Sequence, residues 1–239
     1  HYQNELLKNI GLEKTQQIGT YCFQQYQIQF ELRYAAIEIG AEIQARGGHF
    51  AISSDLLNIS SKVYSPRGEL ADARANALEA CSAGLGEIGE SGVLLTKEHG
   101  PHQQYLAIVT DIDLPVDEVK PQNILCKHCG ACAEHCPVHA IERRFANVDI
   151  DGVSVAFPLI PRHRCEWAKR YGLTPEEGAG LLGQTTNVPI PEGKISIEMV
   201  AEGCARKDPI MKRYGATSEP CLRFCPAGDD GEERIPREE

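Results

Sequence analysis

Four cysteines stand close together in Cys126-Lys127-His128-Cys129-Gly130-Ala131-Cys132-Ala133-Glu134-His135-Cys136-Pro137, the spacing C-x2-C-x2-C-x3-C-P. Three thiolates two residues apart can wrap a loop round three corners of an iron–sulfur cubane. The fourth, on the next turn and stopped by Pro137, points away toward a second cluster. Gly130 permits the positive-φ backbone that such a loop needs. Structural zinc usually takes two separated pairs and fits this close quartet poorly.

A swapped fourth ligand implies a partner block, and Cys221-Leu222-Arg223-Phe224-Cys225-Pro226 repeats the C-x3-C-P ending. By analogy Cys225 completes the first cluster with Cys126, Cys129 and Cys132, while Cys221 joins Cys136 in the second. In a compact block another ligand would stand three residues before Cys221, but that position is Ser218. Two [4Fe–4S] clusters need about eight thiolates, and ten cysteines less Cys22 and Cys81 leave that number. Cys165 and Cys204 are therefore expected to complete the second cluster. The alternative is that one of them is a buried thiol and another ligand, or a missing iron, closes the set. Cys22 and Cys81 occupy apolar helical positions and read as buried thiols. His128, His135 and His139 lie between cysteines and are expected to flank the clusters rather than ligate them.

The metal-ligand spacing and the lack of any sign of secretion argue against disulfides and for a reducing, cytoplasmic compartment. The formal net charge of −10 argues against nucleic-acid binding. The short basic groups, Arg143 with Arg144 and Arg162, Arg164, Lys169 and Arg170, read as solvated faces. No apolar run suggests a membrane span, so any membrane association would go through a partner. The first residues, His1-Tyr2-Gln3-Asn4, lack both a Met start and a signal-peptide core, which suggests a trimmed chain.

The elements that must position the cysteines fall into an α/β domain over 1–120, a double-cluster domain over 121–228 and a charged tail over 229–239. Phe23, Tyr26, Phe30, Tyr34, Ile37 and Ala41 recur at steps of three and four. They predict one apolar face of a long helix ending before Gly47-Gly48. A strand at 49–53, an amphipathic helix at 68–82, and strands at 93–96 and 105–110 follow. Asp151-Gly152 between two apolar runs predicts a hairpin. A helix at 165–171 ends at Gly172, and 184–194 reads as loop.

The stretch Ala83-Gly84-Leu85-Gly86-Glu87-Ile88-Gly89-Glu90-Ser91-Gly92-Val93-Leu94-Leu95-Thr96, with Gly100-Pro101 and Val109-Thr110-Asp111, precedes the cysteine block. This order resembles that of corrinoid-dependent reductases, the reductive dehalogenases and epoxyqueuosine reductases, over residues 30–226. The resemblance implies an α+β fold, a nitroreductase-like α/β layer followed by a bacterial-type 2[4Fe–4S] ferredoxin-like domain. It further implies cobalamin supplied with low-potential electrons by the clusters, with Gly86, Gly89, Gly92 and Gly100 letting backbone approach the corrin. Plain turn chemistry explains the same glycines. The family's proton donor falls where the likeness fails, leaving Tyr34 and Asp72 as candidates. Cys126 also comes early, so part of the corrin pocket would be absent or supplied by another subunit. The expected partners are a small-molecule substrate and an electron donor of ferredoxin or flavodoxin type, or a redox partner subunit. The rival reading is a ferredoxin-type electron-transfer protein without cobalamin.

Overall fold

A computed structural model describes residues 14–65, 68–171, 189–206 and 219–228. The elements in chain order are α1 (Lys14–Ala45), β1 (Phe50–Ser53), β2 (Lys62–Ser65), β3 (Gly68–Ala71), α2 (Ala77–Ser82), β4 (Glu87–Ile88) and β5 (Leu94–Leu95). There follow β6 (Ala107–Thr110), α3 (Ala131–Glu134), β7 (Phe145–Ile150), β8 (Val153–Pro158), α4 (Arg162–Tyr171), α5 (Ile197–Arg206) and α6 (Pro220–Arg223). The strands form antiparallel pairs, β1 with β6, β2 with β3, β4 with β5 and β7 with β8. Helices and antiparallel strands in one chain make the fold α+β. Among the described residues no helix is long and apolar enough to cross a membrane.

The long helix forms and stops as its pattern predicts, with Gly47 at φ +85 just beyond its end. Its packed face is a different one. Gln29, Ala36, Gly40 and Ile43 are buried, whereas Phe30, Tyr34 and Ile37 are exposed. The reason is close approach. Gly40 leaves room for the Phe50 ring, so β1 lies against the small-residue stripe rather than the aromatic one. The aromatic rings stack on one another instead, Tyr26 on Phe30 at 6.0 Å and Phe30 on Tyr34 at 4.7 Å.

The helix expected over 68–82 is in fact a strand, a turn and the short helix α2. Asp72 breaks the period by bonding the Arg74 amide through its own carboxylate at 2.8 Å. Asn76 then takes a left-handed φ of 55 immediately before α2. The hairpin of β7 and β8 follows its sequence signal, with Asp151 and Gly152 both at positive φ.

Two of the three apolar clusters join residues from both sides of position 120. Ala77, Ala80, Cys81, Ile88 and Leu94 share one buried cluster with Val155 of β8. A second cluster joins Val138 and Ala140 to Trp167 and Ala168 of α4 and Val200 of α5. A third sets Ala73 and Val93 against Leu222 of α6. The cysteine-bearing segments are thus packed directly onto the N-terminal layer. Each fully buried Val or Leu side chain in these clusters contributes roughly 1.5–3 kcal/mol.

Gly100 marks how close that packing is. At φ +54 its α-carbon faces the Ala227 carbonyl, and a Cβ there would collide with backbone. Gly130 has a similar φ of +79 with nothing within 4 Å. Gly100→Ala should therefore lower stability by more than about 2 kcal/mol in thermal or urea unfolding. Gly130→Ala should cost only the left-handed penalty of about 1 kcal/mol.

Candidate iron–sulfur centres

The loop 121–130 has almost no regular structure, so its conformation must be imposed from outside. A single carboxylate imposes it. Glu87, buried in β4, accepts the amides of Ile124 at 2.7 Å, Leu125 at 2.9 Å and Cys126 at 2.6 Å. Glu90, three residues on and also buried, binds the Arg143 guanidinium at 2.7 Å and His128 at 3.1 Å. His128 at φ 51 and Gly130 at φ 79 then turn the chain into α3, where Cys132 is buried.

These constraints gather Cys126, Cys129, Cys132 and Cys225 round one cavity, whose wall also includes Glu90, Leu95 and Ala227. The cavity is open to solvent on one side. Cys126, Cys129 and Cys132 are free thiols, and Cys129 is exposed. Burial pushes Cys132 up to about 12, and Glu90, Cys225, Cys126 and Cys129 push in the same direction. Four sulfurs that repel one another as thiolates need a positive body between them. Iron in a cubane supplies that charge, and binding it displaces the thiol protons. The quartet fits a [4Fe–4S] cluster.

A second group forms apart from the first. Burial raises Cys221 well above the ordinary thiol range, with Glu219 and then Cys165 adding to the shift. Burial also raises Cys136, partly offset by nearby amides, with Cys165 adding to it. Cys136, Cys165 and Cys221 therefore lie within electrostatic reach as a set separate from the first. The Ala140 amide donates to Cys136 Sγ at 3.2 Å, the kind of bond that sets cluster potentials. Cys204 lies in α5 one turn beyond Val200, and α5 packs on α4; its side chain is outside the described residues, as are that of Cys22 and the whole of Ser218. Cys81 is a buried free thiol in the core, 3.6 Å from Gln122 Nε2.

Of the other sequence candidates, Gly89 lines the first cavity and Asp72 reaches Ser61 beside Cys165. Tyr34 is exposed on α1 against Phe30. Asp72 is fully enclosed. Burial alone would raise it, but Arg74 and then Lys169 outweigh that and hold its carboxyl well below the usual range. It anchors Arg74, Lys169 and the Ser61 hydroxyl. Gly86 faces the Leu95 carbonyl, Gly89 the Leu95 side chain, Gly92 Ile160 and Arg74, and Gly100 Ala227. This chain itself fills the space those glycines vacate, so they do not fit as corrin contacts. His128 and His135 are held by Glu90 and by the Ala131 carbonyl, and His135 stacks on Phe224 at 3.7 Å.

The basic residues read as solvated faces are mostly structural. Arg143 binds Glu90, Arg164 binds the carbonyls of Val138, Pro191 and Gly193, and Lys169 is buried between Asp72 and Glu219. Their one sequence signal is position, within a turn or two of a cysteine.

Comparison with known proteins agrees with the first centre. A 4Fe-4S binding domain is matched over residues 124–142. The chain is 38% identical over 64 residues to the tetrachloroethene reductive dehalogenases of Desulfitobacterium hafniense and Dehalobacter restrictus, 26% of this chain and 12% of each relative. It is 40% identical over 63 residues to the epoxyqueuosine reductase of Synechococcus sp., 26% of this chain and 19% of the relative. The matched stretch thus spans less than a fifth of these relatives' own length. No solved structure matches the chain.

Two tests follow from the buried carboxylates. Glu87→Ala leaves three amides without their acceptor, so the iron held by the first quartet should be lost to a chelator roughly tenfold faster or more. Iron in the second group should leave at its original rate. Asp72 has a depressed folded value, so its stabilisation is complete above the ordinary carboxylate range and is lost as pH falls below about 4. Asp72→Asn should flatten the stability–pH slope there, as followed by circular dichroism.

Proposed function

We propose that this chain is an iron–sulfur oxidoreductase that relays electrons one at a time through two [4Fe–4S] centres to an acceptor used for reductive chemistry. The observation that carries the reading is the cavity lined by Cys126, Cys129, Cys132 and Cys225, with Cys136, Cys165 and Cys221 grouped apart from it. Cys204 is proposed as the eighth thiolate. When bound, the clusters supply reversible one-electron chemistry. The protein's own residues hold the sulfurs and place an amide donor on one of them. The 4Fe-4S domain match and the local identity to two kinds of reductase support this.

A corrinoid acceptor beside a nitroreductase-like layer is the finer reading, favoured by that identity to tetrachloroethene reductive dehalogenases. Its contacts would come from residues other than the four glycines, and no proton step is assigned to Tyr34 or Asp72. A ferredoxin-type electron-transfer protein without cobalamin is the alternative. With a net charge of −10, docking on a basic patch of a ferredoxin- or flavodoxin-type donor in a reducing compartment is the matching arrangement.

One anaerobic preparation tests both levels. Reconstituted protein should hold about eight irons and eight sulfides per chain, and Cys204→Ser should lower iron toward half. Unaltered iron and EPR in Cys204→Ser would remove it from the ligand set. Titration with cobalamin should change the visible spectrum; no change and no retained corrinoid would leave the carrier reading.

A further inference from the structure

A lysine buried between two carboxylates stands one helical turn from a cysteine of the second group. Lys169 follows Cys165 by four residues in α4, so the two share a face of that helix. Its Nζ lies 2.8 Å from Asp72 Oδ2 and 2.5 Å from Glu219 Oε1, residues 97 and 50 positions away. Asp72 also binds Arg74 at 3.0 Å and the Ser61 hydroxyl, and Ser61 Oγ is 3.4 Å from Cys165 Sγ. Glu219 immediately precedes α6, which carries Cys221. The ionic network therefore ends on the segments of both sulfurs, and all three ionic partners are buried.

We propose that Lys169 is the positioning residue of the second iron–sulfur site. Its charge draws one carboxylate from the N-terminal layer and one from the base of the terminal block to the same atom. That fixes α4 and α6 at the separation where Cys165 and Cys221 share a centre with Cys136. A buried ion pair is a weak source of stability but can specify one arrangement among competing ones. Here the arrangement specified is the spacing of thiolates that come from distant parts of the chain. The inference rests on the two-centre reading above.

The test compares the full chain, reconstituted anaerobically, with Lys169→Met and Lys169→Arg. Iron and acid-labile sulfide are counted, and EPR spectra of the reduced proteins are recorded. A parent protein with only about four irons would fail the two-centre reading itself and take the proposal with it. Given about eight, Lys169→Met should lose about half its iron, and the spectrum of two coupled centres should collapse to that of one. Lys169→Arg, which keeps the charge between the carboxylates, should retain both. Retention of both centres by Lys169→Met, or loss of both together, overturns the proposal. In Lys169→Met/Glu219→Gln no carboxylate is left without a partner, since Asp72 keeps Arg74. Iron still halved, with unchanged circular dichroism, supports positioning. Full iron would mean that the lysine only neutralised charge, and would also overturn it.

Discussion

A cubane takes its thiolates from chain segments with no affinity of their own for one another, and in this protein buried carboxylates of the N-terminal layer bring them together. Glu87 fixes the loop before Cys126 through three amides. Asp72 reaches Ser61 beside Cys165 and, through Lys169, Glu219 beside Cys221. Apolar packing alone could not do this, because it is non-directional and tolerates sliding. A carboxylate with its acceptor directions filled does not. The energetic cost is real: carboxylates removed from water must recover their hydration through donors of good geometry. Glu87 recovers it from backbone amides and Asp72 from two cations and a hydroxyl.

This explains how the two halves of the chain are related. The α/β layer is physically the wall of the cluster sites: Glu87 and Glu90 lie on the Gly-rich segment, and Leu95 at its end lines the first cavity. Gly86 and Gly100 let that segment lie directly on β5 and on the terminal Cys-Pro block. The glycines and glutamates of Gly84-Leu85-Gly86-Glu87-Ile88-Gly89-Glu90 thus work together, the first admitting backbone and the second binding it.

What was legible in the sequence was whatever has a local cause. The cysteine block, the Asp151-Gly152 hairpin, the stop of α1 before Gly47 and the helical stretch at 165–171, though not its start at Arg162, all follow from residues within a few positions of each other. The grouping of Cys225 with the first three cysteines was legible because a ligand swap is a property of the repeated motif. The packed face of α1 was not legible, since Gly40 and Phe50 meet only in three dimensions. The helix expected at 68–82 failed because the Asp72 carboxylate bonds a nearby amide and competes with the helix. Lys169 was read as solvated because nothing near it in sequence announces Asp72 or Glu219, which lie 97 and 50 residues away.

The two sulfur groups also differ in what surrounds them, and that difference bears on how electrons could enter. The first has an exposed cysteine, Cys129, and a cavity open to solvent, near the exposed stack of His135 on Phe224. The second, which includes Cys165 of α4, has no exposed cysteine among its described residues and has the buried ion network beside it. An external one-electron donor can come close only where protein does not intervene, so the first group is the accessible one. The second group abuts the N-terminal layer, whose Ser61 touches Cys165. The two groups thus differ in setting, one beside an exposed cysteine and the other against the N-terminal layer. Each group is held by a carboxylate system of its own, so a disturbance at one need not dismantle the other.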